Sequence, residues 1–146
     1  MVASSDTATA FIARYYVLQL FWGVKGFWWY ATGADEWGSL GTLSKDGKTF
    51  TALADATAYT QVYDWLVGAT LGAPCTNGDA GTVWTCDLTR ASPKAYAARV
   101  VWDTSGASSY ANPKPGTWSH WTDLTGTSHT ISGDVPIGVM PVLMGP

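Results

Sequence analysis

Residues 8–24 are apolar almost throughout, and from Thr7 to Trp22 there is no Gly or Pro. Ser4, Ser5 and Asp6 are helix N-cap candidates and Gly23 is a stop, so a helix is predicted over this stretch. Phe11, Ile12, Tyr15, Val17, Leu18, Phe21 and Trp22 cover most of its circumference rather than one stripe. A helix apolar all round needs cover on several sides. The next run, residues 25–31, holds Phe27-Trp28-Trp29-Tyr30, four aromatics in a row after a glycine. It predicts a strand buried on both faces, as in a parallel sheet covered by helices. Residues 32–50 read as a loop with Gly33, Gly38, Gly41 and a Lys45-Asp46-Gly47-Lys48 turn. Thr51 is the expected cap of a second helix reaching residue 67 or 69, with Ala56, Tyr59, Tyr63, Leu66 and Thr70 at helical spacing and Val62 widening that face.

Beyond Leu71 the period changes. Gly72-Ala73-Pro74 and Asn77-Gly78 are turn material. Short β-rich runs follow at residues 83–88, 96–102, 117–124, 130–132 and 135–143, which suggests an antiparallel sandwich. The expected class is α+β: a helix–strand–helix segment over residues 1–72, then a β-sandwich over 73–146. One buried strand between two helices is not a domain. Residues 5–70 look like the last turn of a (β/α)8 barrel, which needs eight strands and typically ~250 residues.

Composition sharpens this picture. The chain has 146 residues, 47% hydrophobic, 13% charged, with nine tryptophans. Such an aromatic excess serves a core, an interface, or stacking platforms for flat ligands such as sugar rings. Net charge is −3 and the basic residues are scattered, which argues against nucleic acid. The segment 8–24 contains Arg14 and Gln19 and falls short of the ~20 residues of a membrane span, so a buried helix is expected and no membrane contact. Cys75 and Cys86 flank a turn-rich loop and no His lies nearby, so a disulfide is expected rather than a zinc site. A disulfide and low charge suit a secreted, polysaccharide-facing protein. MVASSDTATA has no basic region before an apolar segment and is not read as a signal peptide.

The order of ARYYVLQLFWGVKGFWWYA, DEWG, QVYDWLVGATL, GTVWTCDLTR, AARVVWDTS and IGVMPVLMGP resembles the C-terminal portion of clan A glycoside hydrolases related to family 39. The resemblance runs from about Ser5 to Met144. It implies a final barrel strand and helix leading into a C-terminal β-sandwich, and hydrolysis of a glycosidic bond with retention by two glutamates. Those glutamates belong to barrel strands upstream of anything present here. This chain contains one glutamate, Glu36, and its neighbour Asp35 cannot flank a bond with it at the ~5–5.5 Å a retaining pair needs. No catalytic residue is therefore assigned and no cofactor is expected. The resemblance also implies a Trp and an Asp after Ala31, where this chain has Thr32 and Gly33.

Carbohydrate is the expected partner, and Trp28, Trp29, Asp35, Glu36 and Trp37 at the end of the aromatic run are the substrate-binding candidates. Adjacent residues on a strand face opposite sides, so at most one of Trp28 and Trp29 would point into a barrel. Trp118 and Trp121, with Trp102 and Tyr110, are candidates for a sugar platform on the β portion, although odd spacing would place Trp118 and Trp121 on opposite faces of an extended strand. His120 and His129 with Asp123 or Asp134 match no metal-ligand spacing and read as solvent-facing polar positions, so no metal is expected. Ser119, His120 and Asp123 lack the strained nucleophile turn of a hydrolase triad. Three readings follow: the C-terminal part of a glycoside hydrolase, inactive alone; a stand-alone carbohydrate-binding module; or self-association through the apolar first helix in place of the missing barrel.

Overall fold

The computed structural model describes residues 5–29, 39–78, 81–92 and 94–146. The first element is α1 (Ser5–Phe21). Its end is sealed by Gly23, whose positive φ of 73° costs no Cβ clash. The Gly23 amide donates to the Leu20 carbonyl and the Val24 amide to that of Gln19, the paired bonds of a Schellman cap. Ala10, Ile12, Ala13 and Val17 are buried, while Phe11 stays 53% exposed.

The strand expected at residues 25–31 does not form in the described part: residues 24–29 carry no regular secondary structure. Phe27 instead packs its ring edge-on against Tyr15 and Tyr16 of α1 at 4.9 and 4.7 Å, and Trp28 stands out in solvent. The physical reason is pairing. A strand buried on both faces needs neighbours to satisfy its amides and carbonyls, and no described strand pairs with this segment.

The loop expected next contains a hairpin, β1 (Gly41–Leu43) and β2 (Phe50–Ala52). It closes over the predicted Lys45–Lys48 turn with Gly47 at φ 71°. A Cβ on Gly41 would lie 2.2 Å from the Phe50 ring, so only glycine lets the two strands pair there. Thr51 belongs to β2 and caps nothing. Helix α2 (Ala54–Leu66) starts from an extended Leu53 with no side-chain cap. Its buried face is Asp55, Ala58, Val62 and Trp65, not the Ala56–Tyr59–Tyr63–Leu66 line. Polar Asp55 is buried because Thr9 of α1 donates a hydrogen bond to its carboxylate, which ties the two helices together.

The strands that follow are β3 (Ala69–Leu71), β4 (Val83–Arg90), β5 (Tyr96–Asp103), β6 (Ser108–Tyr110), β7 (His120–Thr122), β8 (Ser128–Thr130), β9 (Val135–Ile137) and β10 (Val142–Gly145). Six of them form one antiparallel sheet in the order β3-β4-β5-β10-β7-β8, and β6 pairs with β9. The long run expected at 135–143 is two strands belonging to different sheets. The two faces of the large sheet are read from alternation. Cys86, Leu88, Val100 and Trp102 face the helices and join Ala13, Val17, Val62 and Trp65 in one core. Val101, Val142 and Met144 face the opposite way and pack with Trp118 and with Val135 and Ile137 of β9. The result is an α+β arrangement with a sandwich-like pairing of sheets. The helix-side core joins residues from either side of position 72.

Cys75 and Cys86 form a disulfide, both sulfurs buried in that core. Beside it Thr76 and Thr85 pair as an isolated bridge, so the loop is fastened to β4 by covalent and hydrogen bonds together. An intramolecular disulfide is compatible with an extracellular location. No described helix is long and apolar enough to cross a membrane.

Candidate functional site

Asp35, Glu36 and Trp37 lie outside the described residues. The other two substrate-binding candidates are separated by their surroundings. Trp29 is half-buried, its ring 6.5 Å from those of Tyr16 and Phe27. Trp28 is 84% exposed, and its six-membered ring lies over Gly26, where a Cβ would come within 3.1 Å of it. The indole is thus laid on main chain that has no side chain to displace it.

Around this indole runs an apolar groove of about 300 Å³, with Tyr16, Tyr59, Tyr63, Leu66 and Val67 among its walls and Gln19 and Lys25 as polar groups. Its back wall is an edge-on stack. Phe27 meets Tyr16, and Tyr16 meets Tyr59 of α2 with ring centroids 5.3 Å apart. Edge-to-face contacts of this kind are favoured by the ring quadrupoles. Burial among these rings pushes the Tyr16 phenol above its ordinary range, and proximity to Tyr59 adds to the effect. It stays protonated and contributes no base.

The platform expected from Trp118 and Trp121 is not at the surface as a pair. Trp118 is 4% exposed, between the Lys114 ammonium, 4.9 Å from its ring centre, and the Arg99 guanidinium, 5.9 Å away. Trp121 is half-buried, and one indole face is occupied by His129, stacked at 4.0 Å and 15°. Trp118 precedes β7 rather than lying in it, so strict alternation does not apply, and both indoles pack on the same core. Under Trp118, Arg99 grips the Asp87 carboxylate through two bonds of 2.6 and 2.8 Å and donates to the Tyr110 hydroxyl. That grip holds Asp87 below the usual carboxylate range.

Asp123 pairs with His129 at 3.0 Å, while His120 shares a 2.7 Å hydrogen bond with Ser119. Ser119 and His120 therefore have no acid completing a triad through Asp123. Burial raises the Asp123 pKa, but hydrogen bonds from Thr125 and His129 outweigh it and leave the carboxyl lowered. Among the described residues no group of three His, Cys, Asp or Glu side chains could hold a metal ion.

A second concavity, about 450 Å³, escaped the sequence reading. It lies on the helix side of the sheet, between α2 and strands β5, β10, β7 and β8, and Arg90, Lys94, His120 and the last residue, Pro146, are among its lining. Arg90 and Lys94 are four residues apart, His120 lies far from both in sequence, and the three follow no spacing motif. The only local hint was the pair Arg90 and Tyr96, which the β4–β5 register places directly opposite each other. No family model, curated protein or solved structure matches the chain.

Proposed function

We propose that this chain is the C-terminal part of a retaining, barrel-type glycoside hydrolase that acts on poly- or oligosaccharide, and that it has no hydrolytic activity alone. The observation that carries the reading is the uncovered apolar surface of α1 and the segment leaving it. Phe11 is 53%, Trp22 73%, Val24 40% and Trp28 84% exposed. Large apolar side chains in such number on one element and its exit mark a surface normally covered. In this reading the preceding β/α units cover it, and residues 25–31 gain the neighbours a buried strand requires. The glutamate count supports inactivity: Glu36 is the one glutamate in the sequence, so the pair of glutamates that the resemblance implies is missing.

Two measurements test this. The purified chain, incubated with aryl β-glycosides and β-glucans, gives no turnover above blank; turnover would overturn the claim. The reading frame upstream of Met1 encodes further β/α units; a frame closed immediately before Met1 would remove the hydrolase reading.

A second reading, a carbohydrate-binding module, is favoured by one feature. The Trp28 indole is backed by Gly26 and open to solvent beside Tyr63 and Gln19, as a sugar-stacking surface would be. Retention on insoluble polysaccharide that is lost in Trp28→Ala would favour it over the first.

A further inference from the structure

We infer that Asn77 is a site of self-modification in the folded protein: the Gly78 amide nitrogen attacks the Asn77 side-chain carbonyl, and the residue is converted to aspartate and isoaspartate. The inference concerns the loop between Cys75 and Cys86 and does not depend on the hydrolase reading.

The chain contains two asparagines, Asn77 and Asn112, and the fold treats them differently. The Asn112 carboxamide is held at both ends. Its Nδ2 donates to the Trp118 carbonyl at 2.9 Å, and its Oδ1 accepts the Lys114 amide at 2.9 Å. Its successor is Pro113, whose nitrogen has no hydrogen to give up. Asn77 is half-buried, and among the described residues its carboxamide has no hydrogen-bond partner. Its successor is Gly78, exposed, at φ 65°, with nothing within 4 Å of the place a Cβ would occupy. A side chain there would be strained and would screen the attacking nitrogen; glycine does neither.

The surroundings fix one side of the reacting pair and leave the other open. Cys75 is bonded to Cys86, and Thr76 and Thr85 exchange main-chain hydrogen bonds of 3.0 and 2.8 Å. The residues just before Asn77 are thus fastened to β4. The Gly78 amide donates to the Thr76 hydroxyl at 3.1 Å. That single exposed bond is all that must open for the nitrogen to turn to the Asn77 side chain, and such bonds are weak beside water.

The Asp46-Gly47 turn has the same small successor and a different electrophile. The Asp46 carboxyl accepts from the Ser44 hydroxyl and the Lys48 amide, which hold it below the usual carboxylate range. It stays an anion and resists attack by nitrogen, whereas the Asn77 carboxamide is neutral.

The step balances with water as the only co-reactant. The Gly78 nitrogen bonds to Cγ of Asn77, its proton leaves with the side-chain NH₂ as ammonia, and a cyclic imide closes. Water then opens the imide. Opening at the side-chain carbonyl gives aspartate, and opening at the main-chain carbonyl gives isoaspartate, whose main chain is longer by a methylene. Both products add a negative charge to a chain of net charge −3. The isoaspartyl form also places its extra methylene directly beside the Thr76–Thr85 bridge.

The test incubates the full chain, folded, in mildly alkaline buffer at physiological temperature. Peptide mass spectrometry then maps each asparagine, with isoaspartate separated from aspartate by chromatography. Asn77 gains about 1 Da, the mass of amide-to-acid conversion, with isoaspartate among the products. Its rate is at least about tenfold that of Asn112, and Gly78→Ala lowers it at least about tenfold. A parallel incubation in urea, which needs no variant, gives the rate in the unfolded chain. Equal rates at Asn77 and Asn112, conversion of Asn77 only in the unfolded chain, or an unchanged rate in folded Gly78→Ala would each overturn the proposal.

Discussion

Two aromatic regions of this molecule have similar composition and opposite fates. In the sheet, Trp84 of β4 and Trp102 of β5 are register partners, and their rings stack within 3° of parallel at 5.7 Å. In the N-terminal region, Trp22 and Trp28 are the most exposed large apolar side chains among the described residues. The difference lies in who fixes the neighbour. A β ladder sets each side chain beside a particular partner on the same face, so an aromatic there is buried by its own strand pair. A helix exit sets no such partner, and an aromatic placed there stays open to solvent. Aromatic content alone therefore does not distinguish a core from a docking face.

The largest test of this contrast is Trp102→Ala. Trp102 is fully buried at the centre of the helix-side core, and its truncation is expected to cost about 3–5 kcal/mol in urea unfolding. A loss similar to that of Trp28→Ala would break the comparison.

Next comes the disulfide. Replacing Cys75 and Cys86 by Ala frees a short loop from β4 and is expected to cost roughly 2–3 kcal/mol. Because both sulfurs are buried, the folded protein also resists reductant. Rapid labelling of both thiols under native conditions with dithiothreitol would contradict this.

A smaller effect separates the opposite face of the sheet. The Asp87 pKa is lowered first by its hydrogen bonds to Arg99. Its stabilising contribution is therefore complete above the unfolded value, about pH 4, and is lost as pH falls through the lowered folded value. Asp87→Asn is expected to cost about 0.5–1 kcal/mol at neutral pH, since both partners are partly solvated. It should also flatten stability over that acid window. Asp103 is lowered in the same sense by Ser108 and then Ser105, so the variant remains acid-sensitive. An unchanged acid profile would show that the Asp87–Arg99 pair does not contribute.

The smallest stability effect is expected at Trp28. Trp28→Ala should leave the unfolding free energy within about 0.5 kcal/mol of the parent. In the parent, acrylamide quenches Trp28 fluorescence readily. Joining the upstream β/α units should remove that quenching if they cover this face.

Much of the β portion was legible in the sequence. Val83–Arg90 and Tyr96–Asp103 appear where short apolar runs bounded by turns placed them, and Cys75 and Cys86 pair as their spacing suggested. Both helices were legible from runs free of Gly and Pro, and Gly23 ends α1 as read. Three-residue strands such as Ala69–Leu71 and Ser108–Tyr110 were not, because three residues carry too little period to register. Of the face read for α2, Val62 is buried, but the rest was placed one residue out of phase, because its tyrosines were counted as core and polar Asp55 was not.

By itself the sequence determined the α+β class, the disulfide, the turns and the absence of a glutamate pair. Each of these depends on local propensity, on close spacing, or on simple counting. Only the tertiary structure decided which aromatics are buried, that Asp123 serves His129 rather than His120, and that Arg90, Lys94 and His120 border one concavity. Those outcomes depend on strand order and register, β3-β4-β5-β10-β7-β8, which bring together residues whose separation along the chain carries no signal. The stretch Phe27 to Trp29 shows the limit most directly. Its composition specifies a buried strand, but a strand is buried only when partners exist to pair with it.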